Sequence, residues 1–117
     1  MRHQNSQKKL GRNTSEKRKA LLRSLATSLF ENGKIKTTRA RAKALSAFVD
    51  RLISRVRRFE DFRSERESKR TIFTKEVSKR VLQFARKTKK NSGFTKSAIL
   101  PPREGDRAEM AMIWVEE

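Results

Sequence analysis

Lysine and arginine are the residues of this chain whose number and spacing could do chemistry. The 117 residues include 31 bases and 13 acids, which gives a net charge of +18. Residues 1–58 carry 17 bases and 3 acids, whereas residues 59–117 carry 14 and 10. Each phosphate that a base neutralises releases condensed counterions, so a polyanion is the natural partner, and the front half is the expected binding half. A merely well-solvated cationic surface is the alternative, although self-repulsion on this scale opposes compaction.

Catalytic chemistry has weak support in the sequence. General acid–base catalysis needs titratable groups gathered in a cleft, and the carboxylates here lie in mixed-charge stretches or near the C-terminal end. A hydrolase triad would lack its usual base, because His3 is the only histidine and no Gly-x-Ser-x-Gly motif occurs. With no cysteine and no phosphate-cradling glycine loop, we expect no enzyme activity, no metal and no cofactor.

The chain also lacks the apolar segments that membrane or secreted proteins carry. No apolar run approaches the ~20 residues that span a bilayer, and the first 13 residues have no secretory h-region. We therefore expect an intracellular protein with no membrane partner and no small-molecule substrate.

Two parts are predicted along the chain. Residues 1–13 should form an extended basic arm, because Met1 and Leu10 are their only large apolar residues. Residues 14–117 should form a single α+β domain. The predicted fold is three helices with a small three-stranded mixed sheet and the extended basic N-terminal arm.

The elements follow from apolar spacing and from turn residues. A first helix should begin with a cap at residues 13–15 and end at Asn32-Gly33, and the cleanest helical spacing runs from Arg39 to Phe59. Residues 60–69 mix charges and predict a loop or a frayed helix start, before a third helix over residues 69–90. Strands are predicted over residues 34–38, 94–100 and 110–115.

The aromatic residues predict core packing more than base stacking. Phe30, Phe48, Phe73 and Phe84 fall on helical stripes, and Trp114 is expected to fill a sheet face. The chain has no tyrosine and no glycine-aromatic run typical of a single-strand RNA-reading sheet. Base stacking is therefore expected to be a minor contribution.

Particular runs of residues indicate the protein family more specifically than the net charge does. The informative runs are Met1-Arg2-His3, Arg12-Asn13, Ile35-Lys36-Thr37-Thr38, Ala42-Lys43, Gly93-Phe94-Thr95-Lys96 and Gly105-Asp106. On these residues the chain resembles, over essentially its whole length, the family of protein seventeen of the bacterial large ribosomal subunit. Residues 59–90 agree with that family only in length and helical character.

The resemblance implies a structural constituent of the large ribosomal subunit without catalysis. Such a protein would bind and stabilise large-subunit ribosomal RNA near the polypeptide exit tunnel through phosphate contacts. The resemblance also implies neighbouring large-subunit ribosomal proteins as partners, a monomer within the ribosome, and a cytoplasmic, ribosome-bound location.

The residues expected to contact RNA combine family-matching positions with other bases of the chain. They are Arg2, His3, Lys8, Lys9, Arg12, Asn13, Arg18, Arg23, Lys34, Lys36, Thr37, Thr38, Arg39, Lys43, Lys96 and Arg103. Arg2 and Arg12 should reach between RNA segments, since the arm has no fold of its own. Thr37 and Thr38 should offer hydroxyls at a helix start that favours phosphate.

The chain departs from the family pattern at Ser97 and at Pro101-Pro102, where relatives continue an apolar strand into a glycine. We therefore expect the strand to stop before Pro101. Two other functions remain open from the residues alone. A nucleoid-type DNA-binding protein would need a dimer surface, which the sequence does not reveal, and an RNA-processing enzyme would use the bases as a docking face.

Overall fold

A computed structural model describes residues 15–59 and 61–116, so the expected arm over residues 1–13 lies outside the described residues. The elements within the described ranges are α1 Ser15–Asn32, β1 Lys34–Thr38, α2 Arg39–Arg58, α3 Asp61–Thr71, α4 Lys75–Lys87, β2 Thr95–Leu100 and β3 Met110–Val115.

The sheet is antiparallel throughout, so the expected mixed sheet is wrong. Its strand order is β1-β3-β2, and β3 pairs antiparallel with both neighbours. β1 and β2 run in the same direction, but β3 lies between them and no parallel ladder can form. β2 ends at Leu100, which confirms that the strand stops before Pro101.

The core is built around α2, whose apolar stripe is buried as its spacing predicts. Leu45, Val49 and Ile53 are fully buried, and the stripe continues through Leu52 and Val56. Residues of α1, α4 and the sheet join the same cluster, including Leu29 of α1, Val81 of α4 and Ile113 of β3. Burial of a large aliphatic side chain contributes about 1.5–3 kcal/mol, so this cluster is the main source of stability.

Three aromatic rings connect α1, α4 and the start of β2. The Phe84 ring packs edge-on against Phe30, with centroids 5.8 Å apart, and against Phe94, at 6.3 Å. Phe94 is fully buried, and its backbone N–H donates to the Asp50 carboxylate of α2 at 3.1 Å. The only acid of α2 therefore fixes the entry to β2.

The described residues contain four helices, so the expected count of three is wrong. Residues 61–71 form α3 where we expected a loop or a frayed helix start, and the helix expected over residues 69–90 is α4, which spans only Lys75–Lys87. The reason is that the inward positions of α3 are Ser64 and Ser68 and not large apolar residues. A search for apolar periodicity cannot detect a helix of this kind.

Buried serines join α3 to its neighbours through hydrogen bonds. Ser64 Oγ donates to the carbonyls of Val56 and Phe59, at 2.5 and 2.9 Å. Ser68 is fully buried; its hydroxyl donates to the Ser78 carbonyl at 3.1 Å and accepts from Ser78 Oγ at 2.8 Å. Small side chains let α3 and α4 approach closely, and the hydroxyls satisfy one another in place of water.

Phe73 lies in the break between α3 and α4 and is 55% exposed, so its predicted place in the core is wrong. Ile72 occupies the buried position next to it, at 3% exposure. The Phe73 N–H donates to Thr27 Oγ1 of α1 at 3.4 Å, and the Arg23 guanidinium lies 4.4 Å from the ring centroid. The connection between the two helices is therefore anchored to α1.

The loop between β2 and β3 is organised by one ion pair. Arg103 donates from Nε and Nη2 to the two Asp106 carboxylate oxygens, at 3.0 and 2.6 Å, and Asp106 also accepts from the Ala108 N–H. Gly105 has a φ of 98°, a conformation that L side chains rarely adopt. The Arg103 guanidinium lowers the pKa of Asp106 to about 2.

We predict that Ser68→Ala destabilises the protein by about 1–3 kcal/mol, because the buried Ser78 hydroxyl loses a partner. Urea unfolding of the full chain measures this difference. Ser54→Ala on the exposed side of α2 is the matched control and should change stability by less than about 0.5 kcal/mol. Equal stability of the Ser68 and Ser54 variants would contradict a structural role for the buried hydroxyls.

We predict that Arg103→Gln raises the pKa of Asp106 from about 2 towards its ordinary value of 3.8. The pKa is lower in the folded state, so the pair's contribution to stability is present above about pH 4 and is lost as the pH falls towards 2. Carboxyl chemical shifts followed by NMR during a pH titration measure the change. Arg107→Gln removes the same charge from the same loop and should leave the Asp106 pKa unchanged.

Candidate nucleic-acid interface

Three of the expected RNA-binding lysines meet on the sheet surface that faces away from the helices. Lys34 of β1 and Lys96 of β2 both pair with Trp114 of β3, one on either side. Directly opposed residues in antiparallel strands project to the same side, so the two lysines flank the tryptophan. The next row on that side is Lys36, Met112 and Ala98. We call these six residues the outer sheet face.

The outer sheet face is accessible and uniformly positive. Lys34, Lys36 and Lys96 are exposed, and Trp114 and Met112 are partly exposed. Among the described residues, no carboxylate lies in these two rows. The opposite side of β3 carries Ala111 and Ile113, which are buried against the helices. Strand alternation therefore separates the core from this cationic surface.

The start of α2 brings further expected residues together, but their roles differ. Thr37 is 7% exposed and projects towards the core, and Thr38 Oγ1 accepts the Arg41 N–H at 3.4 Å as the helix cap. The Thr37 side chain is therefore packed inside the fold, and the Thr38 hydroxyl is already used to cap α2. Lys43 is exposed on the first turns of α2. Arg39 pairs with Glu109, with Nη1 and Oε2 3.4 Å apart, and the two side chains stay 42% and 72% exposed.

Arg23 of α1 lies against the end of α3 and the residues that follow it. Arg23 donates from Nε to the Thr71 carbonyl at 3.0 Å and covers the Phe73 ring. Arg18 is partly exposed. The Arg23 guanidinium is therefore already hydrogen-bonded to the end of α3. To donate from the same nitrogen to a phosphate, it would have to break its hydrogen bond to the Thr71 carbonyl.

Arg103 lies in the loop between β2 and β3, outside the two rows of the outer sheet face. Its guanidinium is about half exposed, and the Asp106 carboxylate raises the pKa of Arg103 above its ordinary value. An RNA phosphate would compete with Asp106 for the same donors. The remaining expected residues, Arg2, His3, Lys8, Lys9, Arg12 and Asn13, lie outside the described residues.

The sequence-based site omitted a second basic surface between α1 and α2. An open groove of about 260 Å³ is lined by Lys19, Leu22, Phe48, Arg51, Leu52, Arg55 and Thr71. Its floor is apolar, and Lys19, Arg51 and Arg55 supply the charge. Arg51 and Arg55 are four residues apart and so share one side of α2, which is the signal that could have identified them. The long 3.8 Å pair from Arg55 to Glu67 leaves this rim cationic.

Other kinds of site find no support in the described part of the chain. Residues 15–59 and 61–116 contain no group of three or more histidine, cysteine or acidic side chains that could hold a metal ion. Within the same ranges, no helix combines the length and apolar character needed to span a membrane.

Comparison with known proteins gives a consistent result. The family model for ribosomal protein L17 matches residues 21–115. Large ribosomal subunit protein bL17 of Campylobacter jejuni subsp. doylei is 44% identical over 115 residues, which cover 97% of each chain. The protein of the same name from Chloroflexus aurantiacus is 42% identical over 115 residues, again 97% of each chain. A match of this extent and identity means that the chain belongs to the ribosomal protein L17 family.

Proposed function

We propose that this chain is a structural constituent of the bacterial large ribosomal subunit that binds and stabilises large-subunit ribosomal RNA. The observation that carries the proposal is the family match over nearly the whole chain, together with the relatives' names as large-subunit proteins. The protein acts as a structural component and not as an enzyme. Its place in the subunit is on the side of the polypeptide exit tunnel, as the family resemblance implies.

Phosphate neutralisation supplies the affinity. The outer sheet face and the first turns of α2 present Lys34, Lys36, Lys96 and Lys43 to solvent, and none of these four lysines has a carboxylate partner among the ion pairs of the described residues. Surface cations of this kind release counterions when they meet phosphates. By contrast, Lys69 and Arg70 of α3 pair with Glu65 and Glu67. The strongest RNA attraction therefore comes from the β1–α2 side.

The proposed interface has a second, extended part. Residues 1–13 form the arm, in which Arg2, His3, Lys8, Lys9, Arg12 and Asn13 contact RNA. Arg18, Arg23, Thr37, Thr38, Arg39 and Arg103 contribute where RNA can replace or share their internal partners. Guanidinium groups suit this exchange, because they bind phosphate and carboxylate with the same two-pronged geometry.

The partners of the protein follow from the same assembly. Neighbouring large-subunit ribosomal proteins share the RNA surface, and one monomer enters each cytoplasmic ribosome. A nucleoid-type protein would instead bind chromosomal DNA through a two-fold dimer. Cell fractionation distinguishes a ribosomal protein from a nucleoid-type protein.

We predict that the double variant Lys36→Ala/Lys43→Ala lowers the salt dependence of RNA binding. Each lysine that contacts a phosphate adds about 1 to the log–log salt slope, so the slope should fall by about 2. Filter binding of the full chain to large-subunit RNA over a potassium chloride series measures it.

The matched control is Lys75→Ala/Lys79→Ala, which removes the same charge from the exposed side of α4. The pKa of Glu65 is lowered mainly by the hydrogen bond and charge of Lys69, and the charges of Lys75 and Lys79 add smaller contributions. A slope that falls equally for both double variants would indicate diffuse attraction in place of a defined interface.

We predict that the full chain sediments with large subunits in a cell-lysate gradient at low and at high salt. Deletion of residues 2–13 should release it from the subunit at high salt, because the arm's phosphate contacts are lost. Small-subunit fractions provide the internal control. Recovery of the full chain only in the free or chromosomal fractions would overturn the proposed function.

A further inference from the structure

The outer sheet face contains an aromatic ring as well as charge. Trp114 and Met112 form its central column, and an open depression of about 530 Å³ beside them is lined by Asn32, Gly33, Lys34, Met112, Trp114 and Val115. Trp114 is the only tryptophan of the chain and is partly exposed. The protein's own helices lie on the other side of the sheet, so this ring is not part of the helix-packed core.

The charges around the ring suit a polyanion. Lys34 and Lys96 stand on either side of Trp114 in the register, and Lys36 is in the adjacent row. The nearest acid along β3 is Glu116, whose carboxylate pairs with Lys90 Nζ at 3.2 Å. That acid is therefore already neutralised, and the lysines beside Trp114 dominate the local field.

The electrostatics of Glu116 agree with this arrangement. The pKa of Glu116 lies below its ordinary value because of the hydrogen bond from Lys90, with smaller contributions from the charges of Lys90 and Lys96. Cations of the fold therefore hold this carboxylate in its charged, paired form.

We infer that Trp114 is a stacking platform for an unpaired base of RNA, with Lys34 and Lys96 binding the phosphates on either side. This inference rests on the proposed function and extends it from phosphate neutralisation to base contact. Single-stranded nucleic acid is recognised by this combination, since every base offers a π-surface and the flanking phosphates need cations. A base-paired helix would keep its bases inaccessible, so the partner is a loop, a bulge or a strand end.

The other exposed aromatic residues lack these features. Phe73 is already covered by the Arg23 guanidinium. Phe62 is 73% exposed, but the Arg66 guanidinium of the same helix lies over its ring, 5.1 Å from the centroid. Trp114 is therefore the aromatic residue of the described chain that combines partial exposure with a lysine on either side in the sheet.

Trp114 fluorescence tests the inference in the unmodified full chain. The probes are an oligoadenylate of about 12 nucleotides, within the range of single-strand binding sites, and an abasic ribose-phosphate chain of the same length. Filter retention reports binding, and tryptophan emission reports stacking. We expect both probes to be retained at low salt, and only the oligoadenylate to quench the emission. Equal emission changes with the two probes, or retention of oligoadenylate without quenching, would overturn the inference.

Substitutions give a second measurement. Trp114→Leu should weaken oligoadenylate binding about 5- to 150-fold and leave abasic binding unchanged, whereas Trp114→Phe should retain most of the affinity. Phe62→Leu is the control for loss of an exposed aromatic residue and should have no effect. Circular dichroism verifies folding, and the wild-type fluorescence result decides the question if Trp114→Leu does not fold.

Failure of this inference differs from failure of the proposed function. If the full chain retains large-subunit RNA but neither Trp114 measurement responds, phosphate binding stands and base stacking does not. If the full chain fails to bind large-subunit RNA at low salt, the proposed function itself is wrong.

Discussion

Positive charge is the constraint under which the whole fold is built. A net charge of +18 opposes compaction, and part of that charge is used inside the fold. Arg80 of α4 donates to the Glu31 carbonyl in the last turn of α1 at 2.7 Å, and Arg23 of α1 donates to the carbonyl of Thr71 at the end of α3. Arg57 of α2 donates to the Lys90 carbonyl. The carbonyls at the ends of α1 and α3 carry partial negative charge, so Arg80 and Arg23 cap helices, and all three arginines bind one segment of the fold to another.

The acidic residues also make contacts within the fold. Asp50 fixes the backbone at Phe94, Asp106 closes the loop before β3, and Glu116 neutralises Lys90 beside the last strand. Each of these carboxylates is occupied by a contact within the fold. The lysines of β1 and β2 have no such partner among the ion pairs of the described residues, and they lie on one side of the sheet. This side of the sheet is positive because the nearby carboxylates pair within the fold.

The alternation of residues along β3 separates the outer sheet face from the side of the sheet that packs on the helices. Its alternate residues place Ile113 and Ala111 in the core and Trp114 and Met112 towards solvent. Because β3 is central, each of its outward residues is flanked by one from β1 and one from β2. Lysines that are 62 positions apart in the chain are brought to either side of one ring in this way. The edge strands carry the charge, which also discourages unwanted pairing of their open edges.

The sequence alone determined α1, α2, the three strands, the charge asymmetry and the family, because these depend on local spacing and on motifs read along one segment. It could not reveal α3, since Ser64 and Ser68 become core residues only when the carbonyls and hydroxyls of other elements meet them. It also placed Phe73 inside and missed Arg51 and Arg55, because periodicity shows which residues share a side but not what that side faces. Tertiary structure decided the strand order, the exposure of Trp114 and which arginines make contacts within the fold. Each of these depends on contacts between residues distant in the chain.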